Sequence, residues 1–190
     1  MRDKGCELRV RLQAMTMDGD VSNHAAQLAA ITETHLNSVQ PLPSEQPIAS
    51  YTCAMHALGL VGNPTYKCIA QFGLGRIYAG KDFVHWLIAT KWLEETATPE
   101  PGGIGVYFDA GEFKHIGKCA ADGRICSKWG TGLLYDHSVD EVPSSYGNDV
   151  RFYKLLPNDA SISAFVVFAS ESGVPASFIE HCRKKESREA

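Results

Sequence analysis

The stretch Phe113-Lys114-His115-Ile116-Gly117-Lys118-Cys119-Ala120-Ala121-Asp122-Gly123-Arg124-Ile125-Cys126-Ser127-Lys128-Trp129 decides the fold. Two short runs with β-branched and aromatic residues flank Asp122-Gly123, whose residue types tolerate the positive φ that a tight hairpin needs. Two antiparallel strands are expected, with side chains alternating between faces. Further runs of the same kind stand at residues 103–109, 133–142 and 150–156. They are separated by Gly102-Gly103, Ala110-Gly111, Gly130-Thr131-Gly132 and Gly147-Asn148-Asp149, all good turn chemistry. Upstream the texture is helical. Residues 53–61 carry Met55 and Leu58 and stop at Gly62-Asn63-Pro64, and residues 82–95 carry Phe83, Trp86, Leu87, Ile88 and Leu93. Helices first and a meander after predict an α+β fold.

The ends are less patterned. Residues 7–12 suggest a short strand, Ser22-Asn23 offers the cap of a helix reaching about residue 36, and Pro41, Pro43 and Pro47 mark a linker or extended arm. Near the C-terminus, residues 162–169 read as a strand, and a charged helix is expected from residue 176. Arg183-Lys184-Lys185-Glu186 forms its solvated end. The organisation expected is an N-terminal extension (1–47), a main body (48–156) and a C-terminal strand and helix (157–190) packed on the same domain.

The chain has 190 residues, of which 44% are hydrophobic and 21% charged, which suits one globular domain and argues against disorder. A net charge of −4 offers no general basic field for nucleic acid or an anionic membrane surface. No apolar run approaches the roughly 20 residues of a transmembrane helix. The first eight residues lack the apolar segment of a secretory signal, so cytoplasmic residence is the default, with export by a signal-independent route left open. Cys6, Cys53, Cys68, Cys119, Cys126 and Cys182 are scattered without any C-x-x-C, and are expected as six reduced thiols, mostly buried.

Cys53, behind Thr52 and in the first turn of a helix, sits where the macrodipole and unpaired N–H groups would stabilise a thiolate and lower its pKa. His115 opens a strand, and the hairpin places polar groups of the next strand beside it. A helix packed on that sheet would bring the thiol to the imidazole, giving a nucleophile, a base and an orienting group. The other histidines read as structural. His56 shares a helix face with Cys53 but is expected packed, His85 belongs to a core or rim, and His24, His35 and His181 to the surface. His137 either bonds within the sheet or lines the cleft. His115, Cys119, Cys126 and His137 fall within 23 residues but lack the tight spacing of a zinc site, so no metal is expected. Gly73-Leu74-Gly75 lacks the Lys-Ser/Thr of a phosphate loop, so no nucleotide cofactor is expected either. Trp86, Trp92 and Trp129 are expected in the core.

Cys53 at a helix start, Pro101-Gly102-Gly103 leading into an apolar strand, His115-Ile116-Gly117 opening the next, and the polar Ser127 twelve positions on resemble the papain-like fold of NlpC/P60 and related amidase domains. The segments from Cys53 to Gly59 and from Ser127 to Gly130, with His137 and Glu141-Val142-Pro143-Ser144-Ser145-Tyr146-Gly147, are similar to an uncharacterised bacterial NlpC/P60-like group. The resemblance covers about residues 48–155. It implies a cysteine peptidase or amidase acting on a peptide or peptidoglycan-like substrate, with Cys53 as nucleophile and His115 as base. At the third position the family usually has a histidine or amide, whereas this chain has the uncharged Ser127; Asp136, His137 or Glu141 are the alternatives. An acyltransferase or deamidase on the same fold, or a binding module without the chemistry, are the rival readings. Residues 1–47 are open as a surface for a protein partner.

Overall fold

A computed structural model describes residues 4–44, 50–72, 77–154 and 156–189. The meander is present. Strands β3 (Ile104–Asp109), β4 (Glu112–Cys119), β5 (Ile125–Lys128) and β6 (Leu134–His137) are successive antiparallel neighbours. β7 (Asp149–Tyr153) returns along the free side of β3, and the short β1 (Gln40–Leu42) and β2 (Glu95–Thr96) close the edges of a seven-stranded open sheet, order β1-β6-β5-β4-β3-β7-β2. The β3–β4 turn is the tightest. Ala110 and Gly111 take φ of +50° and +81°, as a two-residue turn between twisted strands requires. In the β4–β5 turn the Asp122 carboxylate accepts from the Arg124 amide at 3.1 Å and Gly123 takes φ +80°.

Each face of the sheet is covered. On one side, α3 (Cys53–Ala57), α4 (Pro64–Ala70), α5 (Lys81–Ala89), α6 (Asn158–Glu171) and α7 (Ala176–Glu189) enclose a core that includes Ile104, Val106, Ile116 and Leu134. On the other, α1 (Lys4–Met17) and α2 (His24–Thr34) lay Leu8, Leu12, Leu28 and Ile31 against Tyr107, Trp129 and Tyr135. The fold is α+β with an open antiparallel sheet. Among the described residues no helix is long and apolar enough to cross a membrane.

Two expected strands are helices. Residues 7–12 belong to α1, because Leu8, Leu12 and Met15 recur at helical spacing and are the residues buried. Residues 162–169 belong to α6. Their continuous apolar run arises because the helix is buried on several sides: Phe165 packs against Tyr66 (ring centres 4.7 Å apart) and Phe83 (5.3 Å), and short apolar runs of this kind do not separate strand from buried helix by period. Gly62-Asn63-Pro64 ends one helix and starts another: the Asn63 side chain accepts from the Tyr66 amide at 2.8 Å, and Pro64 takes the first turn of α4.

The expectation of six reduced thiols is also corrected. Cys68 on α4 and Cys182 on α7 form a disulfide across 114 positions of sequence, while Cys6, Cys53, Cys119 and Cys126 are free. Linear spacing carries no information on such a pair, because only the docking of α7 on α4 brings their Cα atoms to 5.5 Å.

Gly147 links a short 3₁₀ turn at Ser144–Tyr146 to β7. Its φ is +86°, and a Cβ there would lie 2.0 Å from the Phe108 carbonyl oxygen. Gly147→Ala is expected to lose about 2–5 kcal/mol, combining a glycine-only conformation with backbone overlap. Gly62, with φ +85° and nothing within 4 Å of its Cβ position, provides the comparison. Gly62→Ala should lose only about 1–2 kcal/mol of strain in urea unfolding. Equal losses at the two sites would refute the overlap at Gly147.

Candidate active site

Cys53 is the first residue of α3. Thr52 caps the helix: its Oγ1 accepts from the Met55 amide (3.2 Å) and donates to the Ala79 carbonyl (3.2 Å), which ties the helix start to the chain entering α5. The thiol lines a cleft of about 480 Å³ together with Tyr51, Lys114, Lys128 and Tyr146. β4 and β5 pair only at Lys118/Cys126 and Cys119/Ile125. On β4 the amide of Ile116, the residue that follows His115, favours the anionic form of the Cys53 sulfur.

The thiol is not the low-pKa group expected. Burial pushes the Cys53 pKa up, and the amides of Ile116, Ala54 and Cys53 itself, with the Lys128 ammonium, only partly oppose this. Helix α3 is five residues long, so its dipole contributes little beyond those amides. At rest Cys53 is a neutral thiol surrounded by donors that would favour an anion.

His115 is 1% exposed and makes no hydrogen bond to Cys53. Its strand partner is Tyr107, so its side chain belongs to the sheet face that α1 and α2 cover, opposite α3. The ring stacks on Tyr146 at 3.9 Å, and its Nε2 has no hydrogen-bond partner. Burial, followed by His137, holds its pKa well below the usual imidazole value, so the ring is neutral at pH 7. Tyr146 is common ground, touching His115 on one side and lining the cleft with Cys53 on the other.

None of the candidates for a third position orients His115. Ser127 lies beside Tyr135 in the sheet, and its hydroxyl is used twice: His137 Nε2 is 2.8 Å away, and Trp129 Nε1 donates to it at 3.0 Å. The tautomer follows from the partners. His137 Nδ1 meets the Ser138 carbonyl at 2.8 Å and must donate, so Nε2 accepts the Ser127 proton. Burial pulls the His137 pKa down to about 4, in keeping with this neutral ring. Asp136 receives Arg124 Nε at 2.5 Å, while the rest of that guanidinium holds Ser38. Glu141 accepts from the Ser38 amide and hydroxyl and from the Ser138 amide. Burial works to raise its pKa, but those hydrogen bonds outweigh it and hold the carboxyl below its ordinary range. Asp136 and Glu141 thus fasten the chain around Ser38 to β6, and Ser127 with His137 forms a closed polar unit beneath Trp129.

The thiol–imidazole hydrogen bond present among the described residues is a different one, Cys126 Sγ to His56 Nε2 at 3.6 Å. Burial, helped by Lys118 and Lys128, lowers the His56 pKa to about 4, so His56 accepts from the Cys126 thiol. His24, expected at the surface, is buried and bonded to the Tyr135 hydroxyl and the Asp18 carbonyl, both at 3.1 Å. Among the described residues, no group of three or more His, Cys, Asp or Glu side chains is arranged to hold a metal.

Sequence reasoning passed over Lys128. It is 1% exposed, faces the α3 side of the sheet opposite Leu134 and lines the cleft beside Cys53. A lysine between Ser127 and Trp129 in an otherwise buried strand was the available signal. No family model matches this chain, and neither a curated protein nor a solved structure matches it.

Proposed function

We propose that the chain is a thiol-dependent hydrolase of papain-like, NlpC/P60 type that cleaves an amide bond in a peptide or peptidoglycan-like substrate, with Cys53 as nucleophile. The observation that carries this reading is the placement of Cys53, at a capped helix start and open to a cleft, where the amides of Ile116, Ala54 and Cys53 itself favour the anionic form of its sulfur. Those donors suit the oxyanion and thiolate character that appear during acyl transfer. Because the thiol and the imidazole are both neutral at rest, the proton moves during attack and not before it. The sulfur bonds to the carbonyl carbon while its proton passes to His115. Collapse of the tetrahedral species breaks the C–N bond, with that proton delivered to the departing amine. Water then hydrolyses the thioester, releasing the acid and restoring the thiol. His115 faces away from α3 and stacks on Tyr146, so taking this role requires its ring to leave that stack and enter the cleft past Tyr146 when substrate binds. The same Cys53 chemistry serves an acyltransferase or deamidase if the acceptor or leaving group differs.

A non-catalytic binding module is the second reading. It is favoured by the missing Cys53–His115 hydrogen bond and the raised thiol pKa. The Cys68–Cys182 bond favours an oxidising compartment over the cytoplasmic default.

Acylation by p-nitrophenyl acetate separates the readings. A thioester at Cys53 is expected, absent in Cys53→Ala and formed about 100-fold more slowly in His115→Gln, the usual weight of a general base. Because the thiol pKa is raised, the wild-type rate should still be climbing with pH beyond an ordinary thiol's midpoint. A rate untouched by His115→Gln, or acetylation persisting in Cys53→Ala, would exclude the hydrolase.

A further inference from the structure

The cleft that holds Cys53 is lined by two ammonium groups, Lys128 and Lys114, and, among the described residues, by no carboxylate. Lys128 Nζ donates to the Gly130 carbonyl at 2.9 Å and to the Gly132 carbonyl at 3.0 Å, and stands 5.2 Å from the centre of the Tyr51 ring. Two of its three protons are thereby engaged, both by uncharged oxygens. Neither lysine is ion-paired among the described residues. Removing a cation from water without a counter-ion is costly, so a buried lysine of this kind is normally found with an anion. The loop makes its position stiff: Gly132 is buried, and a Cβ there would meet the His24 ring at 2.9 Å.

We infer that Lys128, with the exposed Lys114 beside it, binds a carboxylate of the substrate, so that the acyl group offered to Cys53 carries a negative charge near the reacting carbonyl. This deepens the proposed function and rests on Cys53 being the nucleophile. The electrostatics agree: burial draws the Lys128 pKa down, and Cys53 is the group that draws it up. With a neutral thiol that ammonium has no anion beside it among the described residues, and a bound carboxylate supplies one. A chain-terminal carboxylate and an acidic side chain share this chemistry.

Iodoacetate and iodoacetamide differ chiefly in one carboxylate, and free thiols react faster with the neutral reagent. Alkylation of Cys53, followed by mass spectrometry of its peptide, should show the reverse preference, by about tenfold or more, as expected of a charge-assisted hydrogen bond. Lys128→Met should restore the preference of a free thiol, Lys128→Arg should keep that of the wild type, and Lys114→Met should lose part of it. Protection assays on the wild type do not depend on a lysine variant folding. N-acetylglycine or the α-amide of N-acetylglutamate should slow iodoacetamide alkylation, the first marking a terminal and the second a side-chain carboxylate, while N-acetylglycinamide should not. A Cys53 that is readily alkylated with free-thiol preference, and that neither carboxylate protects, overturns this inference and leaves the nucleophile standing. A Cys53 that p-nitrophenyl acetate does not acylate overturns the function beneath it.

Discussion

Lowering the pH from 6.5 to 4.5 is expected to strip about 2 kcal/mol from the folding free energy through His137 alone, with a further loss in the same direction from His115, a large share of what a domain of ordinary stability possesses. The cause is a pair of buried imidazoles. His137 has its pKa pulled down to about 4, chiefly by burial, and His115 lies well below its ordinary 6.5 for the same reason. Above pH 6.5 the rings are neutral in folded and unfolded chains alike, and they add no pH dependence. Below 6.5 the unfolded chain takes up protons that the folded chain refuses. Stability therefore falls as pH falls, by about 1.4 kcal/mol per pH unit for each ring, until the folded-state pKa is passed. His56 adds a smaller share, because it is only partly buried and solvent offsets some of its penalty. Urea unfolding at pH 7, 6 and 5 measures the effect directly, and Trp129, buried beside His137 with ring centres 5.3 Å apart, is a suitable fluorescent reporter. His115→Phe preserves an aromatic ring against Tyr146 while removing one of the two protons, so the slope should fall by about half. A stability unchanged between pH 7 and 5 would mean that neither imidazole is held neutral by the fold.

Opening the Cys68–Cys182 bond should be the other large perturbation. It closes a loop of more than a hundred residues, for which chain-entropy reasoning gives about 5 kcal/mol and experience with native disulfides about 2–5. For a domain of this size that corresponds to a fall in Tm of roughly 5–20 °C. The bond joins α4 to α7, and α7 makes few other contacts with the sheet, so loss of the cross-link should loosen the C-terminal helix first. Cys68→Ala/Cys182→Ala, compared with the reduced wild type by calorimetry and by amide exchange along residues 176–184, checks this. The two should agree in Tm, with the fastest new exchange in α7. An identical Tm with and without reductant would show that the bond carries no stability.

The two effects come from parts of the chain that differ in how openly they are written. Asp122-Gly123 and Gly111 specify turns locally, through residues that accept positive φ, although Ala110 is held there at +50° against its own preference, and period-2 runs on either side leave few alternatives to hairpins. The meander from β3 to β6 was accordingly legible, as were α2, α7 and the first part of α5, which stops at Ala89 and not at residue 95, where β2 begins. Residues 7–12 were not, because so short a window holds only part of the Leu8, Leu12, Met15 spacing, and residues 162–169 were not, because a helix buried by tertiary neighbours shows no clean amphipathic stripe. Cys53 and its cap were visible for a local reason too: Thr52 sits where a helix must begin.

What escaped the linear reading is what depends on which side of the sheet a residue faces. The chain alone determined an α+β domain, its hairpins, and a cysteine at a helix start. The tertiary structure decided that His115 and Ser127 turn toward α1 and α2 while Lys128 and Cys126 turn toward α3. It also decided that Cys182 returns to Cys68. Neighbours along a strand point in opposite directions, so the cover laid over each face settles which side chains can meet.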